Sequence, residues 1–541
     1  MVKNLKKSNH NLNQIIMSNK HECLCICPPS PDLEEKIKNT KQKILKATGF
    51  ENIDDIDILD MRTFTMITNR PRKTRAHDHS VAADAAPIIG SRKAIVLLTD
   101  FSDKAGGTNQ AHFNNMLFSQ GTFATGSMRD YFKEVSYNKL DVTGEVKGQG
   151  GPTAGWFRAP KTKAYYTDGN FGFNAYPKNA QKCVEDVINL AQPFVNFAQY
   201  DNDGDGFVEA LIVICAGTGG EVSGNGGDFW SHKWSITPKS VDGVKINKYF
   251  MAPEDGRVGV MAHELGHLLL GLPDLYDTDY SSKGTGRWDL MAGGSWNNGG
   301  LTPAHPTAWC KVKSGWVNPT VVFNSAQNVT LKPYNINQDI VKVPIGAANS
   351  KEYFLLSNRH KAGFDTHLPG EGLIIEHVDE NKGNNTDESH YLVDIEQADG
   401  NRDLNNNTNS GDSTDAYPIA GNNSFTNTSN PNSKTYANTD SKLAVTNIAK
   451  SGNNITANVA SNAAAGSAKV WVYNKKVLRV FASPHSMNAW ANIESLGWRK
   501  IETLTPDGVT NTFITIAEAN ANVKTVSVYV DSNNIYQAYL N

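Results

Sequence analysis

The sequence is poor in the features that mark several common classes of protein. Six cysteines among 541 residues are too few for a framework of disulfide bonds in a chain of this length. The formal net charge of −3 gives no excess of positive charge to attract nucleic acid or anionic membranes. The longest apolar runs, AIVLL and ALIVICAG, are far shorter than the roughly 20 residues that span a bilayer. We therefore predict a globular protein without a nucleic-acid partner or a membrane span.

Changes in hydrophobic pattern divide the chain into four predicted regions. Residues 1–90 are mostly polar and contain one predicted helix, over residues 31–50. Residues 91–320 alternate buried-strand and helical patterns, which predicts an α/β sheet with helices packed on it. Residues 321–460 carry short alternating strands, which predict an all-β, sandwich-like region. Residues 470–541 are predicted to form a small α+β accessory module, with its helix at SMNAWANIESLG.

The region before the α/β pattern has three further features. A basic, small-residue-rich stretch at residues 68–87, TNRPRKTRAHDHSVAADAAP, is typical of a linker and of an exposed cleavage site. The first 30 residues lack the uninterrupted apolar core of a conventional export signal, so the N-terminus predicts no standard export route. The run CLCIC contains Cys23, Cys25 and Cys27, which we interpret first as incidental cysteines in an unstructured polar tail.

The segment HELGHLLLGLPDLYD, residues 263–277, carries the strongest functional signal. His263 and His267 are four residues apart, so one helical face offers two imidazole nitrogens to one ion, while Glu264 lies beside that ion as a general base. A catalytic zinc ion takes three protein ligands and leaves one position for water. The alternative is a buried structural helix, but an accidental HExxH motif arises in roughly one chain in fifty of this composition. We therefore predict a zinc site.

The residues after the helix suggest the third ligand. Gly271 permits a left-handed turn and Pro273 makes a rigid corner, which together bring Asp274 back toward the ion. Asp277 is the alternative ligand in this segment.

Together with RWDLMAGGSWN (287–297), this segment resembles the immune inhibitor A family of secreted bacterial zinc endopeptidases, which are relatives of the metzincins. Further similar segments occur in the same order over residues 93–460, among them VLLTDFSD, YDNDGDGFVEALIVICAG and LPGEGLIIEHVDE. The resemblance implies a zincin/metzincin-like catalytic domain in which Asp274 completes the zinc ligands and Met291 forms the Met-turn beneath the metal. This chain departs from the family pattern in one respect, because Gly271 follows His267 by four residues rather than three. An added helical residue rotates the subsequent residues by about 100°, which leaves Asp277 as the runner-up to Asp274.

An acidic turn, DNDGDGFVE at residues 201–209, resembles the first half of an EF-hand loop. The glutamate expected at the twelfth position is replaced by Ile212, which excludes a complete EF-hand. We predict a structural calcium ion rather than a bare acidic turn, because clustered carboxylates repel each other unless a cation neutralises them. The expected ligands are Asp201, Asp203, Asp205, the carbonyl of Phe207, and Glu209.

Three other side-chain groups have weaker signals. His232 and Tyr276 are candidates to donate hydrogen bonds to a developing oxyanion, although a structural role is the simpler interpretation for each. The CLCIC cysteines have two alternatives to an incidental role: they bind a metal, or one thiolate occupies the fourth zinc position and keeps the enzyme latent.

These observations predict a monomeric zinc endopeptidase that acts on proteins or peptides. Its rivals are a catalytically inactive binding or adhesion protein of the same fold, and a zinc hydrolase of a non-peptide substrate. The intact Glu264 favours the enzyme. The family resemblance implies secretion, whereas the N-terminus favours the alternative of a cytoplasmic protein.

Overall fold

The computed structural model describes residues 24–36, 87–149, 155–461, 470–483, 488–502, 506–530 and 534–541. The predicted linker lies outside these residues, apart from Pro87, as do Cys23 and most of the helix predicted over residues 31–50. Residues 31–36 of that helix are described, and they are helical. Within the described ranges, no helix combines the length and the apolar character needed to cross a membrane.

A seven-stranded, mostly parallel sheet forms the centre of the α/β region. Its strand order is β1-β6-β7-β5-β2-β3, and the short β4 pairs with the end of β2. Strands β2, β3, β5 and β7 run parallel, whereas β6 is antiparallel to both of its neighbours. The strands are β1 (Cys25–Ile26), β2 (Gly90–Asp100), β3 (Leu140–Lys147), β4 (Phe157–Arg158), β5 (Leu211–Cys215), β6 (His232–Val241) and β7 (Val244–Pro253).

The two continuous apolar runs occupy the middle of this sheet. Strand β2 is buried from Ala94 to Asp100, and all five residues of β5 are buried, because neighbouring strands and helices cover both faces. The helices are α1 (Gln110–Phe118), α2 (Met128–Val135), α3 (Lys163–Thr167), α4 (Ala180–Ala191), α5 (Gly220–Ser223), α6 (Val258–Leu270) and α7 (Ala308–Lys313). Short 3-10 turns lie at Phe197–Tyr200, Gly286–Trp288, Gly293–Gly300 and Gly363–His367.

Two antiparallel-rich sheets follow the α/β region. The five-stranded sheet has the order β13-β12-β11-β10-β8, and the three-stranded sheet has the order β14-β15-β9. Phe354 and Ile375 of the first sheet share a hydrophobic core with Val445 and Val459 of the second. The strands are β8 (Thr320–Val321), β9 (Ser325–Leu331), β10 (Ile340–Pro344), β11 (Glu352–Arg359), β12 (Gly372–Asp379), β13 (Val393–Ile395), β14 (Leu443–Ser451) and β15 (Asn454–Ser461).

The five-stranded sheet also contacts the α/β region. Leu355 and Val378 belong to the large hydrophobic core of that region. The buried carboxylate of Glu376 accepts hydrogen bonds from the backbone N–H groups of Ala308 and Trp309, at 2.7 and 2.9 Å. A carboxylate at the first turn of a helix is favourable because free N–H groups and the positive end of the helix dipole meet there. Strand β12 therefore caps helix α7 of its neighbour.

The last region is a closed five-stranded barrel with one helix. Its order is β16-β17-β18-β20-β19, and α8 packs against it. The prediction of a helix at SMNAWANIESLG is wrong. Within that segment Ala489–Ile493 form a strand, and its alternate residues face the barrel core. The elements are β16 (Val470–Ala482), β17 (Ala489–Ile493), β18 (Gly497–Ile501), α8 (Pro506–Ala521), β19 (Thr525–Val530) and β20 (Asn534–Leu540).

Candidate metal centre

Helix α6 carries the HExxH motif through the interior of the protein. Its residues from Val258 to Leu268 are all buried, so its face is apolar except at the motif. The helix ends where Gly271 adopts a left-handed conformation, with φ at +63°, and its N–H donates to the carbonyl of Gly266. The extra leucine therefore lengthens the helix, and the glycine then reverses the chain within a single residue.

The two imidazoles point their Nε2 atoms at one position. These atoms of His263 and His267 are 3.0 Å apart. The Nδ1 atom of His263 lies 2.9 Å from the carbonyl oxygen of Leu290, and that of His267 lies 2.6 Å from the carbonyl oxygen of Leu272. A carbonyl only accepts hydrogen bonds, so each Nδ1 carries the hydrogen and each Nε2 presents a lone pair.

Asp274 lies against both imidazoles. Its Oδ1 atom is 3.3 Å from His263 Nε2 and 3.1 Å from His267 Nε2. Burial by itself raises the pKa of a carboxyl group, but the two imidazoles lower the pKa of Asp274 below its ordinary value. Desolvation lowers the pKa of His267, which favours its neutral form. A neutral pair of imidazoles beside a carboxylate is a donor set for a cation.

Hydrogen bonds to the next residue hold Asp274 in this position. The N–H of Leu275 donates to the carbonyl of Met291 at 2.9 Å. The carbonyl of Leu275 accepts from the amide of Asn385, at 3.0 Å, and from the N–H of Thr285, at 3.0 Å. Asn385 lies just before β13, so the five-stranded sheet contributes directly to the position of the acidic loop.

Glu264 is completely buried and, within the described residues, its carboxylate oxygens make no hydrogen bond of ordinary geometry, although the backbone N–H groups of Lys233 and Cys27 lie close to it. Burial raises the pKa of Glu264 well above its ordinary value, and the nearby charges of Asp274 and Glu221 raise it further. An unsatisfied buried carboxylate is costly, so such a group is expected to face a ligand or a solvent molecule. The charge of Asp274 acts on Glu264, which places the glutamate near the candidate metal ligands.

The geometry fits a tetrahedral metal ion. Zinc–nitrogen and zinc–oxygen bonds of roughly 2.0–2.2 Å place two ligand atoms about 3.3 Å apart at a tetrahedral angle. The three separations among His263, His267 and Asp274 are 3.0, 3.1 and 3.3 Å. Without a cation, three atoms with lone pairs at these distances repel one another. Met291 is buried and its side chain lies against Gly266, beneath the pair of histidines.

Three other predicted residues have different surroundings. Asp277 turns away from the imidazoles, and its Oδ2 atom accepts from Ser281 and Ser282 at 2.8–2.9 Å. His232 contacts the carbonyl of Trp230 and the hydroxyl of Tyr249, and burial lowers its pKa to about 4. His232 is therefore a neutral residue with both nitrogens engaged.

Tyr276 differs from His232, because its hydroxyl donates to a main-chain carbonyl in the cleft above α6. That carbonyl belongs to Ile26, and the distance is 2.9 Å.

The acidic turn lies apart from this centre, at the entrance to β5. Ligand atoms of Asp201, Asp203, Asp205 and Glu209 lie within 4.8 Å of one another. Asp201 accepts hydrogen bonds from the N–H groups of Gly204 and Gly206 at 2.8 and 3.0 Å, as in a tight loop around a central point. Phe207 follows the loop and forms a bridge with Lys245 of β7.

Residues 24–36 lie over the centre, and this placement differs from the predicted unstructured tail. Cys25 and Ile26 form β1, which pairs with β6, and both Cys25 and Cys27 are buried. The interpretation of these two cysteines as incidental members of an unstructured tail is therefore wrong. The sequence analysis also missed Trp230 and Trp296, whose indole N–H groups donate to carbonyls of this segment. The only local signal was the close spacing of cysteines before a pair of prolines.

A two-histidine helix, a nearby carboxylate and a buried glutamate form the candidate metal centre of this chain. Residues 90–322 match the family described as immune inhibitor A peptidase M6, catalytic domain. The match confirms, for residues 90–322, the resemblance seen in the sequence.

Two relatives of known name are similar to this chain. Immune inhibitor A of Bacillus thuringiensis subsp. alesti is 31% identical over 327 residues, which cover 51% of this chain and 45% of the relative. The pre-pro-metalloprotease PrtV of Vibrio cholerae serotype O1 (strain M66-2) is 31% identical over 289 residues, which cover 42% of this chain and 30% of the relative. The chain thus spans less than half the length of either relative.

Proposed function

We propose that this protein is a zinc-dependent endopeptidase, in which His263, His267 and Asp274 hold the ion. The convergence of two Nε2 atoms and one carboxylate oxygen within 3.3 Å carries the proposal. The family match of residues 90–322 supports it, as does the similarity to the metalloprotease PrtV. The separate environment of Asp277 supports Asp274 as the third ligand.

Glu264 is the proposed general base. When bound, zinc lowers the pKa of water at its open coordination position and polarises the carbonyl of the substrate. The carboxylate of Glu264 then accepts the proton of the water that adds to the peptide carbonyl, and returns it to the nitrogen of the leaving amine. Among the described residues, no side chain forms a hydrogen bond of ordinary geometry with the oxygens of Glu264, which supports their availability for this transfer.

Tyr276 is the proposed donor to the substrate carbonyl. Its hydroxyl reaches the main-chain carbonyl of Ile26 in the cleft, so its position suits a peptide carbonyl at the same depth. A donor aimed at the oxygen that becomes negative stabilises the transition state more than the substrate. His232 has no such role in the proposal, because Trp230 and Tyr249 already engage its ring.

The experiment compares the wild-type protein with Glu264→Gln, and with Glu518→Gln, at an exposed glutamate of helix α8, as the control. We expect casein digestion by the Cys25→Ala chain to stop with a chelator and return with zinc, and Glu264→Gln in that chain to bind zinc but lose more than about a hundredfold in kcat. Each variant is also made in a Cys25→Ala chain, because the sulfur of Cys25 lies beside the metal ligands. Full proteolysis by Glu264→Gln overturns the mechanism, and zinc-dependent hydrolysis restricted to non-peptide esters supports the rival hydrolase.

A binding protein with an inactive centre predicts zinc binding without any hydrolysis even in the Cys25→Ala chain, with or without the control substitution. The buried Glu264 argues against this rival, since a buried carboxylate without a partner costs folding energy that an inactive protein has no reason to keep.

We further propose that the acidic turn binds a structural calcium ion. The closeness of Asp201, Asp203, Asp205 and Glu209 supports this proposal, and the carbonyl of Phe207 is the remaining candidate ligand. An ion there joins the loop before β5 to the end of the hairpin formed by β6 and β7, through the bridge between Phe207 and Lys245.

We also propose that the protein is secreted, as the family resemblance implies. Immunoblots of culture medium and of cells, followed by determination of the N-terminal residue in each fraction, test the location. Detection in cells alone contradicts it.

A further inference from the structure

The N-terminal residues 24–36 add a strand to the edge of the central sheet. Strand β1 pairs antiparallel with β6, so that Cys25 lies opposite Lys233 and Ile26 lies opposite His232. The ladder continues as the N–H of Cys27 donates to the carbonyl of Ser231 at 3.0 Å. An extended peptide that pairs with an exposed sheet edge is a common mode of peptide recognition, because main-chain hydrogen bonds supply affinity for almost any sequence.

Side chains from three different places in the fold hold the main chain of this segment. Three consecutive carbonyls of the segment each accept a hydrogen bond from an aromatic side chain of the cleft. The pairs are Tyr276 Oη with Ile26 O at 2.9 Å, Trp230 Nε1 with Cys27 O at 2.7 Å, and Trp296 Nε1 with Pro28 O at 2.9 Å. Such contacts recognise a peptide backbone rather than particular side chains.

The end of the segment has its own anchors outside the cleft. The N–H of Ser30 donates to the carbonyl of Glu221 at 2.8 Å. Leu33 packs with Phe171 and Trp230 in a small hydrophobic cluster, and Glu34 forms an ion pair with Lys283. The segment is thus attached along its whole described length, from the metal centre to the rim of the cleft.

The side chain of Cys25 lies at the metal centre itself. Its sulfur belongs to a compact group with His267 and Asp274, in which the ligand atoms lie within 4.8 Å of one another. Cys25 is only 5% exposed. A cysteine thiolate is one of the preferred ligands of zinc, with a bond of about 2.3 Å. His263 lies outside this group, so a small shift of the sulfur toward His263 would complete, with the two histidines and Asp274, a closed four-ligand set of the kind found in structural zinc sites.

We propose that residues 24–30 occupy the substrate cleft of their own catalytic domain and that the sulfur of Cys25 is the fourth zinc ligand, which keeps the enzyme latent. This inference rests on the proposed function, since it assumes zinc on His263, His267 and Asp274. The thiolate takes the coordination position that water needs, and the paired strand fills the edge that a substrate needs. Displacement of this one segment therefore frees the coordination position for water and the sheet edge for substrate at the same time.

The covalent connection between residues 24–30 and the catalytic domain strengthens the proposed inhibition. A ligand on the same chain has an effective concentration in the millimolar range or above, which free substrate rarely exceeds. Residues 25 and 27 lie on the same face of an extended strand, but only Cys25 belongs to the group of ligand atoms. Cys27 therefore provides a control of the same residue type in the same extended segment, and its side chain is buried as well.

The first test replaces zinc with cobalt in the full-length protein and records its absorption spectrum. Coordination of a thiolate to cobalt produces an intense charge-transfer band in the near ultraviolet, which nitrogen and oxygen ligands do not produce. We expect the band in the wild type and in Cys27→Ala, and its loss in Cys25→Ala with one cobalt ion still bound. Retention of the band in Cys25→Ala overturns the inference, as does bound cobalt without a band in the wild type.

The same samples separate this inference from the proposed function. If no variant binds cobalt or zinc, the proposed function fails and the inference fails with it. If cobalt binds without a thiolate band, the inference alone fails.

The second test measures casein digestion by the intact chain. We expect Cys25→Ala to be more active than the wild type by more than about tenfold, and Cys27→Ala to remain as inactive as the wild type. Cys25→Ser, which keeps the size of the side chain but is a much poorer zinc ligand, is expected to behave like Cys25→Ala. Equal activity of the wild type and both Cys25 variants contradicts latency. Alkylation of Cys25, followed by mass spectrometry, should be slow with zinc bound and fast after chelation.

Discussion

Gly266 and Met291 are in direct contact beneath the metal centre, and a methyl group at Gly266 would lie 2.9 Å from the sulfur of Met291. Gly266 is in the turn of α6 between His263 and His267, so the methionine supports the helix at the level of the ligands. The contact explains a glycine in the middle of a helix, where it otherwise costs about 1 kcal/mol relative to alanine. Close packing here therefore outweighs helix propensity.

Gly266→Ala should weaken zinc binding and lower the stability of the catalytic region by about 1 kcal/mol. Overpacking costs about 1–3 kcal/mol, which exceeds the roughly 1 kcal/mol that alanine gains in a helix. Competition with a chromogenic chelator measures the affinity, and thermal unfolding measures the stability. Gly227→Ala is the control, because the nearest atom to its added methyl is a side-chain atom of Asn225 at 3.4 Å. Identical zinc affinity in wild type and Gly266→Ala contradicts the prediction.

Asp274→Asn should reduce zinc affinity strongly, whereas Asp277→Asn should leave one zinc ion per chain. Asp274 contacts both imidazoles, while Asp277 accepts hydrogen bonds from Ser281 and Ser282. Elemental analysis after dialysis against a weak chelator measures the metal content. The opposite pattern, with zinc lost only in Asp277→Asn, assigns the third ligand to Asp277.

Tyr276→Phe should lower kcat by about a hundredfold with little change in zinc content, since it removes a donor to the developing oxyanion. The assay uses the Cys25→Ala chain, so that the N-terminal segment does not mask the effect. Tyr280→Phe is the control, because its ring stacks on Tyr276 at 6.2 Å without a place in the proposed mechanism. An increase in KM alone would instead indicate that Tyr276 only binds substrate.

Calcium should raise the thermal unfolding temperature of the wild type by several degrees, at constant free zinc. An ion that neutralises Asp201, Asp203, Asp205 and Glu209 binds the folded loop in preference to the unfolded chain. Asp203→Asn should lose most of this increase, whereas Asp440→Asn, in the loop before β14, should keep it. If calcium does not change the unfolding temperature of the wild type, the proposal of a calcium ion in the acidic turn is contradicted.

The five-stranded sheet should become less stable as the pH rises through about 8, because His377 then loses its proton. Burial opposes its charged form, but hydrogen bonds to Glu352 and Glu396, at 3.1 and 3.3 Å, raise the pKa of His377 to about 8. Its ring also stacks on Tyr436. The titratable groups around this cluster are Glu352, Glu396, Asp394, Asp379, His390 and Tyr436.

The raised pKa sets the direction of this effect. The protonated imidazole stabilises the folded state fully below its ordinary pKa of about 6.5, and the contribution of about 2 kcal/mol disappears as the proton is lost near pH 8. Hydrogen exchange of the β12 amides at pH 6 and pH 9 measures the local free energy of opening. His377→Gln should remove the difference between the two pH values, relative to the wild type. An unchanged difference in His377→Gln contradicts the assignment.

Much of the central sheet and of the site helix was predictable from local sequence. The apolar runs that became β2 and β5, and the histidine spacing in α6, are periodic patterns within single elements. The β6–β7 hairpin had no comparable signal, because its residues are only partly apolar and its strand pairing depends on its neighbours. The barrel strand at Ala489–Ile493 was mistaken for a helix for the same reason.

The amino-acid sequence alone determined the chemistry of this protein: two imidazoles on one helical turn, an adjacent carboxylate, and an ordered series of segments shared with a peptidase family. Tertiary structure alone decided which atoms from distant parts of the chain lie at the candidate metal centre. Tyr276 and Ile26 are 250 residues apart in the chain, yet a hydrogen bond joins them. Helical spacing is a local property of the backbone, whereas the contacts of Asp274 and Cys25 depend on how distant segments pack together.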